Sequence, residues 1–169
     1  RDFALSLHTN FRAIDFPAGT MSPTEKVDTA NGWDLTWRFT NLVTGQAKGD
    51  DPIPPVAELI GFEFVYAREG SSRMELEVTG QHANPMGTVH GGILCDIADA
   101  AMGTAYASQL GTGESFATLE LKMNFLRPFW TGKLIADGRI VSRGRTVGMV
   151  EADVRDDQGR LIARASSTC

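Results

Sequence analysis

The chain predicts an α+β fold in which a curved antiparallel sheet wraps one long central helix. Three observations carry this. Ile93 to Leu110 is an almost wholly apolar run, interrupted by Asp96 and Asp99, and too long for an ordinary strand. On both sides of it, short segments alternate apolar and polar residues at the two-residue period of half-buried strands. Asp156-Asp157-Gln158-Gly159 is a strong hairpin signal between two such segments. A helix apolar on nearly all sides must be covered, and the sheet is the material available to cover it.

Taken in order, residues 1–54 read as an N-terminal segment of uncertain structure and residues 55–169 as the domain. Trp33, Leu35, Trp37 and Phe39 alternate with polar residues and favour a strand, although Trp33 and Trp37 with Thr40 and Val43 also fit helical spacing. Asp51-Pro52-Ile53-Pro54-Pro55 ends whatever precedes it, because proline continues neither a ladder nor a helix interior. Gly61 to Tyr66 reads as a strand, turned by Arg68-Glu69-Gly70-Ser71 into a second that carries Met74, Leu76 and Val78 on one face. A helix beginning near Gly91 follows. Beyond it, Leu119, Leu121, Met123 and Phe125 face one way and Thr118, Glu120, Lys122 and Asn124 the other. Arg127-Pro128 and Gly132 punctuate the next turn. Leu134 to Ser142, Val147 to Val154 and Leu161 to Ser167 complete four strands, expected in a meander.

With 169 residues the chain is long enough for one domain with a real core. A net charge of −5 argues against a nucleic-acid partner, though not against a local basic patch. Ile93 to Leu110 carries two Asp and much Ala and Gly, so no membrane span is expected. The start shows no basic-then-apolar leader, and the two cysteines, Cys95 and Cys169, form no disulfide framework or zinc spacing. A reducing cytoplasm is the expected location.

The chemistry concentrates between Asn84 and Asp99. A polar loop with Asn84 and His90 runs into Gly91-Gly92. A helix starting there offers unpaired N–H groups and the positive end of its dipole. Two residues without Cβ let a ligand oxygen come close. Asp96 and Asp99, three apart, share a helix face, and two dehydrated carboxylates so close would raise each other's pKa. Each feature alone has a plainer reading. The glycines could be a loop-to-helix junction, His90 a structural histidine, Thr118 an ordinary strand residue, and Arg143 with Arg145 a solvated hairpin tip. No Gly-x-Ser-x-Gly elbow, dinucleotide fingerprint or P-loop is present.

Together, Asn84…Gly87-Thr88-Val89-His90-Gly91-Gly92…Asp99-Ala100-Ala101-Met102-Gly103, the run Thr118 to Pro128, and Gly144-Arg145-Thr146 resemble the PaaI-like branch of hotdog-fold acyl-CoA thioesterases. The likeness covers roughly residues 55 to 168. It implies that Asp99 is the catalytic carboxylate, as general base or nucleophile. It further implies that the Gly91 N–H polarises the thioester carbonyl, that Asn84 helps hold thioester or water, and that His90 anchors the loop. Thr118 would orient water. The resemblance also implies a homodimer or homotetramer whose sites combine the Asp of one subunit with the loop of another. A second acid at Asp96 departs from the pattern. The expected substrate is an acyl-CoA, with Arg127, Arg143 and Arg145 as candidate partners of its phosphates; no cofactor and no metal are expected. The rivals are a hotdog acyl-thioester hydratase or dehydratase, and a non-catalytic acyl-CoA-binding module.

Overall fold

A computed structural model describes residues 54–111 and 114–169; the expectations for Trp33 to Phe39 lie outside the described residues. The order is helix α1 (Pro55–Ile60), strands β1 (Phe62–Arg68) and β2 (Ser71–Val78), helix α2 (Gly91–Ala107), then strands β3 (Glu120–Phe125), β4 (Gly132–Arg143), β5 (Gly148–Asp156) and β6 (Leu161–Thr168). The six strands form one antiparallel sheet in the order β1-β2-β4-β5-β6-β3, with α2 against its inner face.

Helix α1 was not foreseen. Pro55 at its first position, Glu58 in its first turn and Gly61 beyond its end are nonetheless its start and stop signals. Gly61 belongs to this cap rather than to β1: at φ 88 it is left-handed, and its N–H donates to the Ala57 carbonyl at 2.6 Å.

The expected four-strand meander is corrected to three. β4, β5 and β6 follow one another, but β3 pairs with β6, through Phe125↔Ala163 and Glu120↔Thr168, and forms the far edge. The connection from Leu126 to Thr131 passes along the end of the sheet, where Leu126 and Arg127 N–H donate to the Ile162 carbonyl. Six extended residues span up to about 20 Å, enough to pass two intervening strands at roughly 4.8 Å each.

The core lies between α2 and the inner sheet face. Ile97 and Met102 of α2 and Leu76, Leu134, Val150 and Val154 of the strands are all less than 2 % exposed. Burying each such aliphatic side chain contributes about 1.5–3 kcal/mol. Small residues set the closest approach. A Cβ on Gly138 would run into the Ala101 carbonyl, which also accepts from the buried Ser72 hydroxyl. A Cβ on Gly148 would enter the Tyr106 ring. The outer face is ionic: Arg73 pairs with Asp137 at 2.7 Å, and Asp153 is held between Arg155 and Arg164.

The helix is not covered on every side. Leu94, Ile97, Ala98, Ala101, Met102 and Ala105 are buried. Gly92, Asp96, Asp99 and Gly103, at spacings of four, three and four, form a stripe along the flank that the sheet leaves uncovered. Asp96 is exposed and Asp99 half-buried on that flank, so neither carboxylate is enclosed as a buried acid would be.

Candidate active site

The loop before α2 is built by its own hydrogen bonds. Asn84 Oδ1 accepts the N–H groups of Met86 (2.9 Å) and Thr88 (3.3 Å), and its Nδ2 donates to the Thr88 hydroxyl at 2.8 Å. Gly87 takes φ 82 in the reversal, where a side chain would be strained. Val89 N–H donates to the Phe129 carbonyl, tying the loop to the β3–β4 connection, and His90 N–H donates to the His82 carbonyl.

His82 escaped notice in the sequence. It is buried; its Nδ1 accepts Thr79 N–H at 2.9 Å, and its Nε2 lies 2.8 Å from the Ile60 carbonyl, to which it must donate. The His82 imidazole thus links the end of α1 to the end of β2, and its backbone carbonyl ties them to the site loop. Thr79 and His82, three apart at the end of a strand, carry the only sequence hint, a capping pattern with His in place of Glu or Gln.

His90 is the N-cap of α2. Its Nδ1 accepts Gly92 N–H at 2.9 Å, so in the neutral ring the proton sits on Nε2. The cap uses the Gly92 donor and leaves Gly91 N–H without an acceptor among the described residues. Both glycines also have internal reasons. A Cβ on Gly92 would lie 3.0 Å from the capping Nδ1, and one on Gly91 2.9 Å from Cζ of Phe125.

Two turns along the helix, the Thr118 hydroxyl donates to Asp99 Oδ1 at 3.1 Å. Burial first, then the Asp99 charge, pushes the Cys169 thiol up, against the lowering effect of the Ser167 and Thr118 side chains. Partial desolvation, then the Asp99 charge, raises the Asp96 carboxyl above the ordinary carboxylate range. Cys95 is likewise raised, by burial first and by both Asp charges after it.

The predicted residues therefore fall into two groups. Asn84, His90 and Gly91 stand at the start of α2, and Asp99 with Thr118 stands on its flank. Eight residues of helix separate Gly91 from Asp99, about 12 Å along the axis and roughly 80° around it. A donor and a base that act on one carbonyl must both lie about 3 Å from the reacting atoms. One chain does not bring them together.

The arginines are also divided. Arg127 donates to the Leu161 carbonyl near the start of β6. Arg143, at the opposite end of the sheet, is paired with Glu114 and lies 5.9 Å over the Tyr106 ring. Arg145 is exposed in the β4–β5 hairpin, without a hydrogen-bond or ion-pair partner among the described residues. Two surface clefts lie away from Asp99 and Gly91: one is lined by Glu120, Ser142, Met149 and Ser166, the other by Glu69, Gln109, Arg139 and Arg143. Among the described residues no three His, Cys, Asp or Glu side chains group closely enough to hold a metal ion. No helix there is long and apolar enough to cross a membrane.

Comparison with known proteins adds to this geometry. The family description "Thioesterase superfamily" matches residues 86–163, from the site loop into the start of β6. A phenylacetic acid degradation-related protein of Ralstonia eutropha JMP134 superposes with a TM-score of 0.68 at 33% identity, over 78% of this chain and 98% of its own. The 1,4-dihydroxy-2-naphthoyl-CoA hydrolase of Listeria monocytogenes is 27% identical over 66% of this chain and 90% of that protein. The acyl-coenzyme A thioesterase PaaI of Escherichia coli is 28% identical over 63% of this chain and 75% of that protein.

Proposed function

The chain belongs to the thioesterase superfamily, in its PaaI-like hotdog branch, and is a thioester hydrolase; on that premise we propose that it cleaves acyl-CoA to the free acid and CoA at sites shared between two subunits. In each site Asp99 and Thr118 of one subunit face the loop and helix start of the other. The single observation that carries this reading is the separation of Gly91 from Asp99 along α2. A second copy closes that gap, because its helix start can lie against the first copy's Asp99.

The chemistry then follows from the groups present. The free Gly91 N–H, at the positive end of the α2 dipole, donates to the thioester oxygen as it gains charge. The His90 cap holds that helix start and does not carry the proton. The Thr118 hydroxyl occupies Asp99 Oδ1 and leaves Oδ2 to act, either taking a proton from the attacking water or attacking the carbonyl carbon itself. Either route breaks the C–S bond, releases CoA thiolate and consumes one water in forming the acid. Arg145, without a partner among the described residues, is the freer cation for CoA phosphate; Arg143 is already neutralised by Glu114.

The test is thiol release, followed with a dithiobenzoate reagent on a panel of acyl-CoAs. The wild type should turn over, and Asp99→Asn should lower kcat by roughly 10²–10⁴, the contribution of a positioned acid–base group. Binding of substrate should survive, since the donor and the CoA contacts remain. Full activity in Asp99→Asn would remove this carboxylate from the mechanism.

A further inference from the structure

The ring of Phe125 packs on Gly91, the residue that carries the free donor of the site. Had Gly91 a Cβ, it would stand 2.9 Å from Cζ, 3.1 Å from Cε1 and 3.5 Å from Cε2 of that ring. The tip of the ring is therefore seated on the backbone of the residue whose N–H is unpaired. The rest of it is open: Phe125 is 57 % exposed. It ends an edge strand, and its partner across the ladder is Ala163, too small to cover it. The two segments that meet here, the site loop and the β3–β4 connection, also expose Met86, Leu126 and Trp130. An apolar ring kept at a polar, ligand-binding helix start has a use only if something apolar lies on it.

A thioester whose oxygen sits on Gly91 N–H carries two substituents on the carbonyl carbon. One is sulfur, leading to the amides of the pantetheine arm, which need polar partners. The other is the acyl carbon, which falls within contact range of a ring packed on the same residue. Contact with Phe125 favours the acyl side and thereby sets which way round the thioester binds.

We propose that Phe125 is a specificity-determining residue: its ring, seated on the Cβ-less Gly91, is the wall on which the apolar acyl substituent lies. This rests on the acyl-CoA hydrolase reading above. The consequence is discrimination between acyl groups that reach across the ring and those too short to do so. Phe125 does not take part in the chemistry, so the step itself should proceed without it.

The experiment compares wild type, Phe125→Leu and Phe125→Ala, as full chains, on acetyl-, hexanoyl- and benzoyl-CoA. The kcat/KM ratios of hexanoyl- and benzoyl-CoA to acetyl-CoA should fall about tenfold or more in Phe125→Ala, as expected for a lost apolar wall. They should fall less in Phe125→Leu, which keeps an apolar side chain and guards against a folding defect. Activity on acetyl-CoA itself should stay within about threefold. Unchanged ratios in both variants overturn the proposal. So does an equal loss on all three substrates accompanied by dissociation, which would make the ring an interface residue between copies. If the wild type releases no thiol from any of the three, the hydrolase reading fails separately. The same variants are then compared by the dissociation constants of hexanoyl-, benzoyl- and acetyl-CoA analogues that keep the carbonyl but carry a methylene in place of the sulfur, where a constant selectivity overturns the wall and a reduced one sustains it.

Discussion

At the scale of single residues, the paired glycines show how one pattern carries two physical demands. Gly91-Gly92 was legible as a place of close approach, and the sequence reading assigned that approach to a ligand. The structure adds two occupants from the chain itself, the Phe125 ring at Gly91 and the His90 ring at Gly92. Neither was visible beforehand, because both depend on contacts whose partners the spacing does not reveal. His82 was illegible for the same reason: it joins α1 to β2 through its buried imidazole and the site loop through its carbonyl. The two acids, by contrast, were correctly placed on one face, and their difference is now concrete. Asp99 has a hydroxyl partner, whereas Asp96 has no hydrogen-bond or ion-pair partner among the described residues, only the neighbouring charge that helps raise it. Asp96→Asn should therefore retain most activity. In Asp99→Asn, Asp96 loses the second of its two raising causes, so its carboxyl should titrate closer to the ordinary value of about 3.9. Carbon-detected NMR titration of the Asp side chains reads this directly. An Asp96 value that does not move would mean the two carboxylates do not sense each other.

At the scale of elements, alternation and turn residues located the strands, while their order in the sheet was only partly readable. The hairpin at Asp157–Gly159 formed as its residues indicate: Asp156 Oδ1 accepts the N–H groups of Gln158 and Arg160, and Gly159 takes φ 78. β3 was misplaced because its alternation is equally satisfied beside β4 or beside β6. A six-residue connection does not decide between a hairpin and a passage along the sheet end. The half-exposed Leu119 and Phe125 at its two ends record that it is an edge. The outer-face ion pairs lend the sheet a pH dependence. Hydrogen bonds from Arg164 and then Arg155 hold the Asp153 carboxyl below its usual range, against the opposing effect of burial. Burial also opposes ionisation of Asp156, yet Arg160 and the backbone N–H groups outweigh it and hold that carboxyl low as well. A depressed folded-state pKa adds stability that is full above the unfolded value, about 3.9, and is lost as pH falls through the folded value. The melting temperature should thus drop as pH is taken from about 5 toward 2, and less steeply in Asp153→Asn. Parallel curves for the two proteins would show that this cluster carries no linked stability.

At the scale of the whole molecule, the proposal makes each site the joint work of two subunits. Within one chain the donor and the carboxylate lie about 12 Å apart on one rigid helix, a distance no side-chain motion closes. Among the described residues no strand pairs with the outer edge of β3, which bears exposed apolar side chains, the kind of edge that proteins cover. The account predicts that light scattering finds a dimer or a tetramer at micromolar concentration. The most direct test mixes two inactive chains. Asp99→Asn removes the carboxylate. Gly91→Pro removes the N–H at the first helical position; His90, at φ −67 and ψ 137, already has the backbone that precedes a proline, and the added Cβ displaces the tip of the exposed Phe125 ring in that chain. Each variant alone should be nearly inactive. Unfolded together and refolded at equal amounts, half of the random dimers pair one chain of each kind, and each such dimer holds one site with both native groups. Thiol release should return to roughly one quarter of the wild-type rate per chain, the share of intact sites expected for a two-fold pair. A mixture no more active than its separate components would contradict the shared site, and with it the pairing of Gly91 and Asp99 on which the proposed hydrolysis rests.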